Sequence, residues 1–470
     1  MILNDDSLRA ILDIVTFAWL FAWAAKGVQN LLSRKRDSVS SLFITHFVFC
    51  GVPLLLDHVF GKPNYQVWRG FDIAAADGLT GLVYCLYVSA CPVIWWYCGR
   101  SKSYSKADSS KSSASASLRH LSWQGQITLH MALISPLVAL YLAPNPRIYF
   151  EYAAVVRGSF TAEEVAYQTI FGALIMTSII AGAALLFSQR RLKFTCCYVL
   201  PFAVLAAWVN GKRSVVLLVI VLFGSALWLR GTLRRRTLMV LAPAMVIAFW
   251  IFSASYQAEI RSFDTADAGQ RYDNMRLDYG RDAVIRLILY AEIHRDSEPI
   301  LEHRMQSLLF DATMLVPRKM WPEKPWPYAT YATAAALRLP VRNFGWGITT
   351  SWLEEAVANF GWPGLIIGPL LLAVICRVGD ATKDSIVRLL TILVGSQLLV
   401  VQMTAFVPFV AIWLIALLAS WRARRLPAVR LGSTNGMRVE GSAGRNPGGS
   451  MPFFPPVLDA CSGKGVRLIR

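Results

Sequence analysis

The sequence is short of charge, short of acids in particular, and without any paired-cysteine motif. Only 16% of its 470 residues are Asp, Glu, Lys or Arg, against roughly 25% in ordinary soluble domains. Its 29 Asp and Glu face 47 Lys and Arg, leaving a formal charge of +18. A soluble nucleic-acid binder of that charge would not also be 55% hydrophobic with a mean hydropathy of +0.45, so no nucleic acid is expected as a partner. Of the eight cysteines, Cys50, Cys85, Cys91, Cys98, Cys196, Cys197 and Cys376 fall in or beside apolar runs and Cys461 lies near the C-terminus. None makes a CxxC pair with zinc spacing, which leaves no disulfide framework and points to thiols used as small hydrophobes. The first residues, MILNDDSLR, set Asp5 and Asp6 against Arg9, the wrong charge for a secretory leader. The first apolar segment is therefore expected to stay as a membrane helix. No internal repeat stands out.

What is present is a series of apolar runs approaching the roughly 20 residues that cross a bilayer. They lie near residues 8–30, 41–60, 77–98, 124–143, 166–188, 194–210, 214–230, 237–254, 362–378, 386–403 and 405–421. The sequence thus predicts an all-α polytopic membrane protein of about eleven transmembrane helices with one long, partly helical outside loop. Every second connection is basic: Arg34-Lys35-Arg36, the stretch from Arg100 to Arg119, Arg190-Arg191-Lys193, Arg230 with Arg234–Arg236, then Arg377, Lys383 and Arg388, and finally the tail from Arg422. The positive-inside rule places these in the cytoplasm, the N-terminus and the long loop outside, and the C-terminus inside. The inside segments hold 28 of the 47 basic residues but six of the 29 acids, so the charge reads as an orientation signal matched to an anionic inner leaflet. Four regions follow: a membrane bundle over 1–254, a periplasmic loop over 255–361, C-terminal spans over 362–421, and a basic, Gly/Ser/Pro-rich tail over 422–470. The lipid bilayer is the first partner and the bacterial inner membrane the expected location.

The long loop carries the chemistry. Residues 255–350 hold twelve basic and twelve acidic side chains, and a connection of that length is usually functional. Val284, Leu287, Ile288 and Ala291 recur at helical spacing, so residues 281–293 read as an amphipathic helix lying on the membrane surface. In VPRKMWPEKPWP, Pro317, Pro322, Pro325 and Pro327 forbid a continuous helix and stiffen an extended segment. That segment can present Arg318, Lys319 and Lys324 toward phosphate oxygens. Trp321, Trp326, Tyr328 and Tyr331 suit either sugar stacking or an interfacial aromatic belt. In SWLEEAVANFGWPG, Trp352, Glu355 and Asn359 share one helical face, while Gly361 and Pro363 end that helix and start the next span. Glu355 either pairs with a loop arginine or acts as a general base on an acceptor hydroxyl. The turn NGKRS places Lys212 and Arg213 outside, either snorkelling to headgroups or joining Arg318 and Lys324 around a lipid-linked pyrophosphate. His294 and His303, with Glu292, Asp296, Glu298 and Glu302, match no metal-ligand spacing, and neither a metal nor a cofactor is expected. Asp57 and His58, near the end of the second span, read as solvated at the interface.

NGKRS, VPRKMWPEKP and EAVANFGWPG, in that order, resemble the bacterial O-antigen and oligosaccharide repeat-unit polymerases, the Wzy-like membrane glycosyltransferases. The resemblance covers roughly residues 195–375. It implies polymerisation of undecaprenyl-pyrophosphate-linked oligosaccharide repeats into O-antigen, capsule or exopolysaccharide outside the inner membrane, without a nucleotide sugar or a required metal, under a chain-length regulator as partner. Carried over by motif, Arg213, Arg318 and Lys324 would hold pyrophosphate, Glu355 would be the base, and Asn359 matches the motif carboxamide. Asp282 and His303 are weaker candidates for the base, and Trp321, Trp326, Trp352 and Asn359 are the candidates for binding sugar. Val357 stands where the family pattern often has an aromatic, which leaves acceptor stacking there without support. A ligase moving finished glycan to another acceptor and a lipid-linked glycan transporter are the alternatives. Transporters usually place charges at the bilayer midplane in two related halves, and neither feature is apparent.

Overall fold

The computed structural model describes residues 6–33, 37–65, 67–101, 123–150, 162–188, 191–210, 213–230, scattered positions between 236 and 247, 268–295, 299–314, 316, 318–341, 347–382 and 384–425. These residues form helices and connecting turns and no strand. In chain order they are α1 (Asp6–Leu32), α2 (Val39–His46), α3 (Val52–Val59), α4 (Arg69–Ala76), α5 (Gly78–Cys98), α6 (Trp123–Leu142), α7 (Ala162–Ser188), α8 (Leu192–Asn210) and α9 (Arg213–Arg230). The long loop contributes α10 (Ala268–Tyr279), α11 (Asp282–Ile293), α12 (Gln306–Ala312), α13 (Tyr328–Leu337) and α14 (Trp352–Phe360), followed by α15 (Gly364–Asp380), α16 (Ser385–Leu398) and α17 (Met403–Arg425). Residues 1–424 make one compact unit and residues 425–470 a second, so the bundle, the long loop and the late helices fall within a single unit.

Among the described residues, seven helices are long and apolar enough to cross a membrane: α1, α2 with α3 as one run, α5, α6, the core of α7, α8 and α17. Apolar side chains such as Ile11, Phe21, Leu86, Tyr141, Leu200 and Ile415 stand exposed on them, as lipid-facing residues do. The other expected spans take different forms. The apolar stretch of α9, Val215–Trp228, is short, α15 has 17 residues and α16 has 14, and the run near 237–254 lies largely outside the described residues.

Prolines decide how the first helices meet. A proline lacks the N–H that the carbonyl four residues earlier would accept. Pro53 thus frees the carbonyl of Phe49, inside the widened turn Phe47–Gly51 between α2 and α3, and the Arg281 N–H at the start of α11 donates to it at 3.0 Å. Pro92 within α5 frees Val88 O in the same way, and the His46 Nε2 lies 2.9 Å from it. The proline removes a bond and another element supplies it.

Small residues decide how closely the later helices approach. Between helices in lipid, burial of apolar area gives little drive, and close van der Waals contact does more. Any Cβ on Gly364 would strike the backbone of Ala356, and one on Gly368 would come 3.1 Å from the Ala356 Cβ. Gly361, at φ +69°, makes the turn that folds α14 back along α15. The Trp352 indole then donates to Gly368 O at 3.0 Å, and the Tyr87 hydroxyl to Leu353 O at 3.2 Å. Tyr87 lies nine residues into α5, about 13 Å along the helix at 1.5 Å per residue, so α14 begins deep alongside α5.

This depth corrects the expectation of a surface helix at residues 281–293. The helix exists, as α11, but it is interior: Val284, Ile285, Leu287, Ile288, Leu289 and Ala291 are all buried. It packs against α4, α5 and α14. Periodicity located the helix; the residues off its apolar stripe are covered as well, with Arg281 at its N-cap and Arg286 one turn in both bonded inside the bundle.

Candidate functional site

Two carboxylate clusters and one basic loop emerge where the long loop packs into the bundle. The first cluster is centred on Arg276, which is 1% exposed. Its guanidinium bridges Asp57 (Nε to Oδ1 2.8 Å, Nη2 to Oδ2 2.9 Å) and Asp282 (Nη1 to Oδ1 2.7 Å, Nη2 to Oδ2 2.6 Å). Burial alone would raise the Asp282 carboxyl, but the paired Arg276 and the nearby Arg286 outweigh it and hold the group below the usual carboxylate range. Both oxygens of Asp282 are engaged, so this candidate base sits in an ion pair. Asp57, expected to be solvated at the interface, is instead the second anchor for Arg276. Arg286 Nη2 reaches Asp13 Oδ1 at 3.4 Å and its guanidinium lies 4.7 Å from the Tyr84 ring, while Arg281 Nε donates to Val400 O at 3.1 Å.

The second cluster surrounds Glu355. The sequence places two glutamates side by side on α14, and the helix separates their tasks. Glu354 closes a capping box with Ser351, meeting both its hydroxyl and its N–H, the local use that S-x-x-E serves at a helix start. Glu355 points elsewhere, with no exposure at all. Its Oε1 accepts from the Ser307 hydroxyl at 2.9 Å and its Oε2 from the Met403 N–H at 3.3 Å. Asn359, one turn on, donates to Ser307 Oγ and to Glu355 O, each at 2.8 Å. Asp311, one turn after Ser307 on α12, accepts from the Thr404 hydroxyl at 2.5 Å. No ion pair to either Glu355 or Asp311 occurs among the described residues. Burial first, and then the Asp311 charge, push the Glu355 carboxyl up to about 8, with Ser307 and Met403 opposing. Burial pushes Asp311 up to about 6 against the Thr404 bond. Burial thus biases Glu355 toward its protonated form near neutral pH.

The basic loop meets α12 at Phe310. Arg318 donates from Nη1 to Lys324 O at 2.6 Å and from Nη2 to Pro325 O at 2.8 Å, with its guanidinium 3.4 Å from the centre of the Trp326 ring. Lys324 donates to Met314 O at 3.2 Å and Val316 O at 3.1 Å, and its Nζ lies 4.6 Å from the Phe310 ring. Of the three cations expected to be presented toward phosphate, Arg318 and Lys324 thus staple the loop, and Lys319 is exposed. Each retains spare donors, since an ammonium has three N–H groups and a guanidinium five.

The structure brings Glu355 and Asn359 together, and separately Arg318, Lys324 and Trp326, with α12 touching both groups through Asp311 and Phe310. It does not bring in Asp282, which is in the Arg276 cluster, or His303, which is exposed. Trp352 is 3% exposed and its indole is committed to Gly368, so it holds α14 to α15. Trp321 is half-buried. Lys212 and the Arg213 side chain lie outside the described residues. Glu292, weighed above as a metal ligand, is taken by Arg304 at 2.6 Å, and no metal-binding group of three His, Cys, Asp or Glu occurs among the described residues. Ser307, Asp311 and Arg276 were not singled out from the sequence; for the first two, the available signal was their i, i+4 spacing in QSLLFDA. Comparison of the chain with protein-family models, with curated proteins and with solved structures gives no match.

Proposed function

We propose that this chain is an inner-membrane glycosyltransferase that polymerises undecaprenyl-pyrophosphate-linked oligosaccharide repeats at the periplasmic face, with about eleven spans, the N-terminus outside and the C-terminus inside. The observation that carries the reading is Glu355: a buried carboxylate with hydroxyl and amide neighbours and, among the described residues, no ion-pair partner, joined through α12 to a loop bearing Arg318 and Lys324. A general base works best when its pKa lies near the operating pH, and burial brings this one to about 8.

In the proposed step, the acceptor sugar hydroxyl attacks the anomeric carbon of the lipid-linked donor. The C–O bond to pyrophosphate breaks, the new glycosidic bond forms, and the hydroxyl proton passes to ionised Glu355. The Ser307 hydroxyl and the Met403 N–H fix the carboxylate, and Asn359 holds Ser307 in place. Lys324 and Arg318 meet the charge developing on the departing pyrophosphate with the donors they do not spend on the loop, in a site dry enough for that charge to matter. Trp321 and Trp326 offer ring faces to sugars, and Lys212 and Arg213 extend the cationic lining.

Purified protein reconstituted with lipid-linked repeat units alone tests this. A ladder of polymer lengths is expected, and Arg318→Ala should leave single repeats at unchanged protein level. A ligase would make no ladder without a second acceptor, and a transporter would move repeats without joining them; either result would overturn the reading.

A further inference from the structure

Two cations share one indole where α1, α2 and α5 meet, at the end of the bundle away from Asp6. Lys26, in the last two turns of α1, sets its Nζ 3.6 Å from the centre of the Trp96 ring and 5.2 Å from that of Trp23. Arg100, just past the end of α5, sets its guanidinium carbon 3.8 Å from the same Trp96 centre. A glycine next to each cation brings its segment close to α2. A Cβ on Gly27 would strike Ser40 O at 2.8 Å, and one on Gly99 would come 2.9 Å from Val39 Cγ2. Trp23 and Trp96 then meet with ring centres 5.6 Å apart. A ring face attracts a cation through its quadrupole but carries no net charge, so two positive charges remain. Neither cation makes an ion pair among the described residues. The acids at this end are engaged by serines: Asp380 accepts from the Ser38 N–H at 2.8 Å and its hydroxyl at 2.7 Å, and Asp37 accepts from Ser40.

Two charged groups so near one ring centre lie at most about 7 Å apart. One phosphate can bridge that gap, accepting charge-assisted hydrogen bonds of about 2.8 Å on either side. The flanking surface is apolar and open: Val28, two residues after Lys26, is 44% exposed and Tyr97, three before Arg100, is 77% exposed. Tryptophans and long cations near the end of a spanning helix sit at the headgroup level of a bilayer. We propose that Lys26 and Arg100, held on Trp96, bind the phosphate of an anionic phospholipid, whose acyl chains lie along the exposed faces of α1 and α5. A zwitterionic headgroup would carry its own ammonium toward two cations, so an anionic one is preferred. The orientation proposed above makes this the inner leaflet; the site itself rests on neither that orientation nor glycosyl transfer.

The test is thermal unfolding of the full chain in neutral detergent at low ionic strength, with phosphatidylglycerol, phosphatidylcholine of the same acyl chains, or inorganic phosphate added. Phosphatidylglycerol should raise the midpoint about 3 °C further than phosphatidylcholine, and inorganic phosphate should leave it level. Lys26→Gln combined with Arg100→Gln should remove that difference while melting like the parent in phosphatidylcholine; if the pair does not fold, each single variant should cut the difference at least by half. Lys26→Arg with Arg100→Lys should keep most of it, and Arg147→Gln, which removes an exposed cation elsewhere, should keep all of it. Equal midpoints in the two lipids, a difference that survives loss of both cations, or one lost equally in Arg147→Gln would overturn the proposal. A shift with inorganic phosphate as large as that with phosphatidylglycerol would overturn the lipid assignment.

Discussion

The Arg276 and Glu355 clusters are built from the same materials and reach opposite electrostatic ends. Each holds two carboxylates in the interior of the same unit, and each joins the long loop to neighbouring helices. Around Arg276 one guanidinium spans both acids, so Asp282 stays ionised and the group acts as a strut between α3, α10 and α11. Around Glu355 and Asp311 the carboxylates' partners are two hydroxyls and a backbone N–H. These orient a carboxylate without fixing its charge, and burial then lets it take a proton. A buried acid matched by a cation builds structure; a buried acid matched only by neutral dipoles is available for proton transfer or for a ligand that brings charge.

The contrast can be broken most forcefully at Arg276. Arg276→Ala leaves buried Asp282 and half-buried Asp57 without their ion-pair partner and should cost about 3–5 kcal/mol, read as a lowered unfolding midpoint and loss of protein from membranes. A loss under about 1 kcal/mol, the range of exposed ion pairs, would remove the structural half of the comparison. Next in size, Glu355→Gln keeps the shape but cannot accept a proton, and polymer formation should fall at least about 100-fold while the midpoint stays level or rises. A variant that unfolds would instead make Glu355 a structural acid.

The pH dependence separates the clusters by sign. From the ordinary value of 4.5 up to about 8, folded Glu355 keeps a proton that the unfolded chain has released, so its contribution to stability falls as pH rises and levels off above about 8. Asp282, held below its ordinary 3.8, contributes stability that is present above that value and is lost as pH falls through its depressed folded value. Midpoints measured from pH 3 to 9 should show a decline over the upper range that Glu355→Gln flattens; an unchanged slope in that variant would contradict the buried, proton-holding state. Smaller again, Arg318→Ala removes two carbonyl contacts and the Trp326 face and should cost about 1–2 kcal/mol, with Arg318→Lys recovering only part because it lacks the fork. Smallest of all, His303→Ala on the exposed surface should shift the midpoint by less than about 0.5 kcal/mol and leave any polymer ladder intact.

Much of the fold was legible because its signals are local. Apolar runs marked the long helices within a few residues, Pro317 to Pro327 excluded helix between α12 and α13, and Gly361 with Pro363 marked the turn before α15. The periodicity at Val284–Ala291 located α11. It could not show that the helix is interior, because that depends on Phe49 O, freed by Pro53, accepting the Arg281 N–H from a residue more than two hundred positions away. At the site, Glu355 and Asn359 were legible from spacing on one helix. Ser307, Asp311 and the Met403 N–H were not, since they reach Glu355 from two other segments. Arg318 and Lys324 were legible as cations, whereas their engagement with loop carbonyls follows from a turn geometry that residue types alone do not specify.

Composition and patterning by themselves determined that the chain is helical, apolar enough for a membrane, and charged asymmetrically between alternate connections, because lipid solvation and helical periodicity act on each segment independently of the rest. Only the tertiary structure decided which acids keep their charge. That depends on whether packing sets a cation or a neutral dipole against each carboxylate, a matter of a few ångströms between segments far apart in sequence.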